Sequence, residues 1–466
     1  MSRVRQFFQT AFTYFAGNIF SKLVTFFMIP LYTNQLPPSE YGDYDFVVTI
    51  ITFFISVAFF QIWDGMFRFS FDCRDKEERY RILCDAVYIY IAGIFVYFLL
   101  FFIAWYIVGF KNPIYVFFYG LLLGLQYLYS FMARAFLKNK LFAYSGAVNT
   151  FLAALCNLVF ILKWKMGIPS LYLAQMLGCL AQILLIEMSL QVLKRVVKHK
   201  PDVRRIKQML IFSVPLCVSA ISYWLLSGFT KLVINRELGA YENGIYAIAN
   251  SLANTAIIAV NVFQFAWNEM AYMIAKEENR TSTYRKCVDL LFTTVSFGCA
   301  ALCIGIKIVF PYLVGREYNS ASEVVPILMI GVSANAVAGF LGTLFMTEKK
   351  TSYILVSTVI AAMINLFFAR EGAVFMGIRG AVVILAFSFF MLMVIRMVQL
   401  KHSFQVSLSA ASYGSCITIL VSLLLYKYID SIFILIIYVL VLAILYIWRL
   451  QGFLQVHLVQ MIQKNK

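Results

Sequence analysis

Residues 84–109 read CDAVYIYIAGIFVYFLLFFIAWYIVG, with a single charge at Asp85 and none from Ala86 to Gly109. About 20 apolar residues suffice for a helix to cross the hydrocarbon core, so this run is a membrane-spanning helix. It lacks the alternation over about ten residues that a barrel strand shows. Outward from it the pattern recurs near 11–33, 44–66, 114–133, 143–162, 169–191, 208–232, 244–267, 287–311, 324–346, 351–369, 376–396, 405–426 and 431–449, about fourteen spans in all. Composition agrees: of 466 residues, 62% are hydrophobic and only 13% charged, where a soluble chain carries about a quarter charged. The segments between spans are too short for a soluble catalytic domain. The expected fold class is an all-α polytopic membrane protein.

The net charge of +17 suits a nucleic-acid binder only if a soluble basic domain carries it, and none is present. Placed along the chain, 28 of the 39 basic residues fall on one set of alternating flanks, including Arg3, Arg5, the cluster Lys194–Lys207, Arg396 and Lys401. Eight fall on the other: Lys111, Lys163, Lys165, Arg236, Arg316, Arg370, Arg379 and Lys427. The richer side is predicted to be cytoplasmic, with both termini there and the chain in a cytoplasmic membrane. Arg3 and Arg5 lead into a full-length span with no small-residue cleavage pattern, so no cleavable leader is expected. The nine cysteines are scattered without a Cys-x-x-Cys pair, and Cys299 and Cys303 share a helix face as packing residues do. Neither a disulfide framework nor a metal or other cofactor is expected. His199, His402 and His457 all lie in or near predicted cytoplasmic segments, which argues against histidine catalysis inside the membrane.

The chain also repeats itself. Tyr41–Tyr44 align with Asn243–Tyr246, Trp63–Met66 with Trp267–Met270, and Tyr80, Arg81 and Asp85 with Tyr284, Arg285 and Asp289, at offsets of 202 to 204. Six helices per unit, both units starting on the same side, make a parallel repeat, an architecture of transporters that rock about a central site. The expected division is a first lobe at 1–193, a basic cytoplasmic linker at 194–207, a second lobe at 208–402, and two further helices with a cytoplasmic tail at 403–466.

Ionisable groups inside spans are the candidate functional residues, because each costs about 2.5–3.5 kcal/mol unless it faces a partner or a wet cavity. Lys22 lies mid-way along the first span and Lys231 late in the seventh, the leading spans of the two lobes. Together they would make a central cavity cationic. Lys307, a turn before Pro311, is expected to snorkel to the headgroups instead. Asp64 and Glu269 stand beside the repeated Trp63 and Trp267 as gating or coupling candidates, with Arg68 expected to pair with Asp64 at four-residue spacing. A coupling ion, proton or sodium, would bind at such carboxylates. Pro30 and Pro215 would kink their spans. Trp63, Trp224 and Trp267 are candidate glycan contacts.

Two stretches resemble a known family. The first runs from Asn18 to Arg68 with Lys22, Pro30, Leu31, Tyr32, Thr33, Leu36, Pro37, Glu40, Tyr41, Gly42 and Gly65; the second has Phe212, Ser213, Pro215, Leu216, Trp224, Lys231, Gly239, Gly244 and Tyr246. They resemble the Wzx-type oligosaccharide flippases, the polysaccharide transporter branch of the superfamily that also holds the multidrug MATE exporters and the lipid II flippases. The family commonly has an acid before the span-7 base, where this chain has Thr230. The resemblance implies a non-enzymatic transporter of a polyprenyl-diphosphate-linked oligosaccharide for O-antigen or capsule assembly. It implies Lys22 and Lys231 on the diphosphate, the lipid tail in the bilayer, and polysaccharide polymerase and chain-length machinery as partners. A cation-drug exporter would want cavity carboxylates in place of these lysines. A membrane polymerase or glycosyltransferase would want acidic catalytic residues and a long outer loop, which the spacing of the spans does not provide.

Overall fold

The computed structural model describes residues 20–73, 75–255, 280–348, 350–406 and 409–464. Trp267 and Glu269 therefore lie outside the described residues. Helices follow one another as α1 (20–35), α2 (Pro38–Ala58), α3 (Ile62–Ser70), α4 (Lys76–Val108), α5 (Pro113–Ala135), α6 (Asn139–Leu158), α7 (Ile168–Leu190), α8 (Val192–Val196) and α9 (Val203–Leu238). They continue as α10 (Ala240–Ala253), α11 (Arg280–Leu313), α12 (Ala321–Thr347), α13 (Thr351–Phe404), α14 (Ala410–Tyr428) and α15 (Ile432–Lys464). No strand occurs among the described residues. Ten of these helices are long and apolar enough to cross a membrane, and the expected spans fall on helices wherever the chain is described.

Two expected spans, 351–369 and 376–396, sit in the one element α13, which is helical throughout except at Gly377, where φ is 62°. Only glycine takes that conformation without steric cost, so the chain reverses on one residue. The halves run antiparallel: Ser357 meets Arg396 and Tyr353 meets Ser403. They close tightly because Gly372 and Gly380 each leave no room for a β-carbon against the other's carbonyl.

The chain forms two compact units, Met1–Gly244 and Ile245–Lys466. The first takes in α9, which follows the linker, and its core gathers Ile51, Ile55, Phe59, Ile62, Leu83, Leu128 and Ile186 from α2 to α7, with the Phe59 ring stacked 4.3 Å from that of Tyr90. The linker is folded onto α4. Tyr88 donates to the carbonyls of Val196 and His199, and Arg195 forms an ion pair with Glu77 while lying 3.7 Å over the Tyr80 ring. That pairing pushes the Arg195 guanidinium further above its ordinary value. Beneath it the wholly buried Asp85 accepts from His199 at 2.8 Å, from Arg205, and from the backbone N–H of Asp202, the residue that caps α9.

In the second unit Asp289 occupies the matching place on α11 and accepts from the backbone N–H of Ser409, the capping residue of α14, at 2.8 Å, and from the Ser412 hydroxyl at 2.7 Å. The aligned aspartates thus hold the same point of two successive helices, each the first after a set of spans. That shared task supports the repeat on grounds other than sequence likeness.

One residue of the charge count has a different place from the one expected. Arg396, assigned to the cytoplasmic flank, is buried in the second unit, where it donates to Ser357, Thr358 and the Ala338 carbonyl. Its five N–H donors suit it to such a role, because several acceptors can be met at once.

Candidate functional site

The second expected span breaks before its end. Phe60 and Gln61 take φ of 52° and 50°, so α2 stops at Ala58 and a separate short helix, α3, carries Trp63, Asp64 and Arg68. Arg68 shares that helix with Asp64 but does not pair with it. It reaches forward to Asp72 at 2.7 Å, an exposed pair, while the cation beside the half-buried Asp64 is Arg134 of α5. The Arg134 guanidinium lies 4.8 Å over both the Phe67 and Phe131 rings. Trp63 is 5% exposed and packs against Tyr127, so it serves the core.

Lys231 is held otherwise. Its ammonium donates to Asp45 of α2 at 2.8 Å, and the two side chains retain 17% and 20% exposure. The second carboxylate oxygen of Asp45 is buried without a hydrogen-bond partner among the described residues. Two helical turns before Lys231, Trp224 donates its indole N–H to the Thr49 carbonyl at 3.1 Å and packs on Phe53. One stripe of α9 therefore lies along α2, with an ion pair at one end and an aromatic ring at the other. Pairing lowers the cost of both charges, since neither is left alone in a low-dielectric interior.

Lys22 lies on α1 and is exposed, with no ion-pair partner among the described residues. Its helix is tied to α6 by Thr150 donating to Ser21 at 3.0 Å and by Asn157 donating to the Tyr32 hydroxyl at 3.0 Å. Lys307 is engaged at the end of α14: its ammonium donates to the carbonyls of Tyr426 and Ile429 and pairs with the exposed Asp430 at 2.9 Å.

Near the start of α2 a second arrangement follows the repeat. Gly42 has no room for a β-carbon against the Ala240 carbonyl, and Gly244 has none against that of Pro38. Asn243 donates to the Gly42 carbonyl at 2.8 Å. Residues 38 and 42 are the counterparts of 240 and 244 at the offset of 202, so the contact is reciprocal, as a two-fold pairing of like segments requires.

Sequence reading missed Asp45 and a polar network inside the first unit. Gln182 accepts from Gln126 at 2.7 Å and Asn149 at 2.8 Å, and donates to Ser130 at 3.0 Å, which ties α5, α6 and α7 together. Asp45 was visible as an acid at the edge of a span, but nothing local marks a partner 186 residues away. The amides are uncharged, so a search for ionisable groups passes over them.

Residues 7–267 match a family model described as polysaccharide biosynthesis protein. No curated protein matches the chain. Among solved structures the fold is similar to an inward-facing multidrug resistance MATE family transporter of the MOP superfamily, at 12% identity and TM-score 0.67, covering 84% of this chain and 96% of that one. It is equally similar to the lipid II flippase MurJ in an inward closed conformation, at 12% identity and TM-score 0.67, covering 96% and 99%. The Vibrio cholerae MATE transporter VcmN in its bent form follows at 14% identity and TM-score 0.56, covering 91% and 98%. At these identities the likeness is one of fold.

Proposed function

We propose that this chain, which belongs to the polysaccharide biosynthesis protein family, is a flippase for a polyprenyl-diphosphate-linked oligosaccharide in the bacterial cytoplasmic membrane, working by alternating access. The observation that carries the reading is Lys22, an exposed cation at the middle of an expected span with no ion-pair partner among the described residues. Left against lipid it would cost about 2.5–3.5 kcal/mol, whereas in a wet path it offers a diphosphate the charge-assisted hydrogen bonds that replace lost hydration.

Lys231 supplies the second cation. Asp45 holds it in place until a diphosphate takes the position of the carboxylate, and Trp224 offers its ring to the glycan on the same stripe of α9. The Lys231–Asp45 pair is neutral as a whole, and it is Lys22, with no ion-pair partner among the described residues, that supports anionic cargo over drug export. The termini and the cluster Lys194–Lys207 lie on the cytoplasmic side in this scheme, from which the cargo is loaded.

Flipping of a fluorescently labelled lipid-linked oligosaccharide in proteoliposomes tests the proposal. Alanine at both Lys22 and Lys231 is expected to lower the rate about tenfold to a hundredfold, as loss of charge-assisted hydrogen bonds implies. Unchanged flipping would overturn the assignment, and transport of an organic cation by the wild-type protein in place of the glycolipid would move the chain to the exporters.

A further inference from the structure

The second unit holds a groove of about 770 Å³ that the transport reading leaves unused. It opens between the end of α11, the start of α12, the part of α13 just past its reversal, and the end of α14. Lys307 lies 18 residues beyond Asp289 on α11, or about 27 Å at 1.5 Å per residue. That is close to the hydrocarbon thickness of about 30 Å, so the groove sits at the opposite membrane boundary from the Asp289 contact.

Most polar groups of the wall are already engaged. Lys307 is bound by two carbonyls and Asp430, and Arg379 is paired with Glu323. Pro326 lacks an N–H, which frees the Ser322 carbonyl from the helix ladder, and the Tyr426 hydroxyl donates to it at 2.8 Å. These contacts build the groove in advance of any ligand. The remaining cation is Lys427, exposed at the rim, with a ring contact to Tyr428 and no ion-pair partner among the described residues. Below the charged rim the floor is apolar, formed by Phe310, Pro311, Pro326, Ile327 and Leu423. Size and lining are those of a small-molecule site with a few placed polar groups.

A charged rim at the boundary above an apolar floor fits an amphiphile, and the lining carries three cations against two carboxylates. We propose that this groove binds a single anionic membrane phospholipid, its headgroup phosphate on Lys427 and the start of one acyl chain along Leu423 and Phe310. The headgroup's one negative charge meets the one cation of the groove lining that has no ion-pair partner among the described residues.

The full-length protein, reconstituted without cargo in nanodiscs of mixed phosphatidylglycerol and phosphatidylcholine and released into detergent, tests this by native mass spectrometry. One phosphatidylglycerol per chain is expected to be retained, about tenfold over phosphatidylcholine, the scale of one charge-assisted hydrogen bond. Lys427→Gln is expected to abolish that preference, and Leu423→Trp, which fills the floor and leaves every charge in place, to reduce retention of both lipids. Equal retention of the two lipids by the wild-type protein, or undiminished phosphatidylglycerol retention in both variants, would overturn the proposal. So would selective capture of added polyprenyl phosphate over phosphatidylglycerol. Because no cargo is present, these outcomes are independent of whether Lys22 and Lys231 bind a diphosphate.

Discussion

Asp85 on α4 and Asp289 on α11 stand 204 residues apart, and each takes the backbone N–H of the residue that caps a later helix. Their surroundings differ. Asp85 is wholly buried and meets His199 and Arg205, whereas Asp289 is half-buried and meets the hydroxyl of Ser412. Depth explains the contrast. A carboxylate removed from water needs opposite charge and several donors to offset its lost hydration, while one still near solvent is served by neutral donors. Repeated sequence has kept the geometric task and changed the electrostatics around it.

The largest expected effect removes the buried member. Asp85→Ala leaves Arg205 without its counter-ion and should cost about 3–5 kcal/mol, read as thermal unfolding of the purified protein in detergent. Trypsin should then cut faster after Lys198, because the linker loses its hold on α4. Asp85→Asn keeps shape and an acceptor, so its penalty isolates the charge. If it proved no worse than Asp289→Asn, charge would not be what separates the two sites.

The glycines sharpen the comparison from the opposite direction. Since the contact is reciprocal, Gly42→Ala and Gly244→Ala should each cost about 1–3 kcal/mol, the range for overpacking, and to equal degree. Combined, they should cost less than their sum, because one separation of the segments relieves both clashes. A marked inequality in unfolding temperature between the single variants would show that the pairing is not symmetric.

The smallest effect belongs to Asp289→Ala, at about 0.5–2 kcal/mol, the usual cost of losing a helix cap. Hydrogen exchange should locate it in the first turn of α14 and leave α9 unaffected. Protection lost across the whole unit instead would mean that Asp289 carries more than the cap.

Much of the helix plan was legible because a long uncharged run such as 86–109 has few alternatives, and the repeat was legible because Asp85 and Asp289 share their neighbours in sequence. Pairings were not. Four-residue spacing suggested Asp64 with Arg68, but Asp64 has Arg134 of α5 beside it and Arg68 reaches the exposed Asp72. Arg396 counted as a flank charge because a count of basic residues has no term for depth, yet it donates to three acceptors inside the bundle. The partners of Lys307 were equally hidden, because the end of α14 that binds it is more than a hundred residues away. Charged side chains in this chain are placed by partners distant in sequence, which composition and spacing do not encode.

The one-residue reversal at Gly377 also bears on how the protein is made. With no loop between its halves, Thr351–Phe404 has the form of a tight helical hairpin that can enter the bilayer as one unit. Arg370 and Arg379, on either side of the bend, then make a single crossing or none. Replacing the glycine would be felt first during biogenesis, as chains held at the insertion machinery, before any defect in the finished protein.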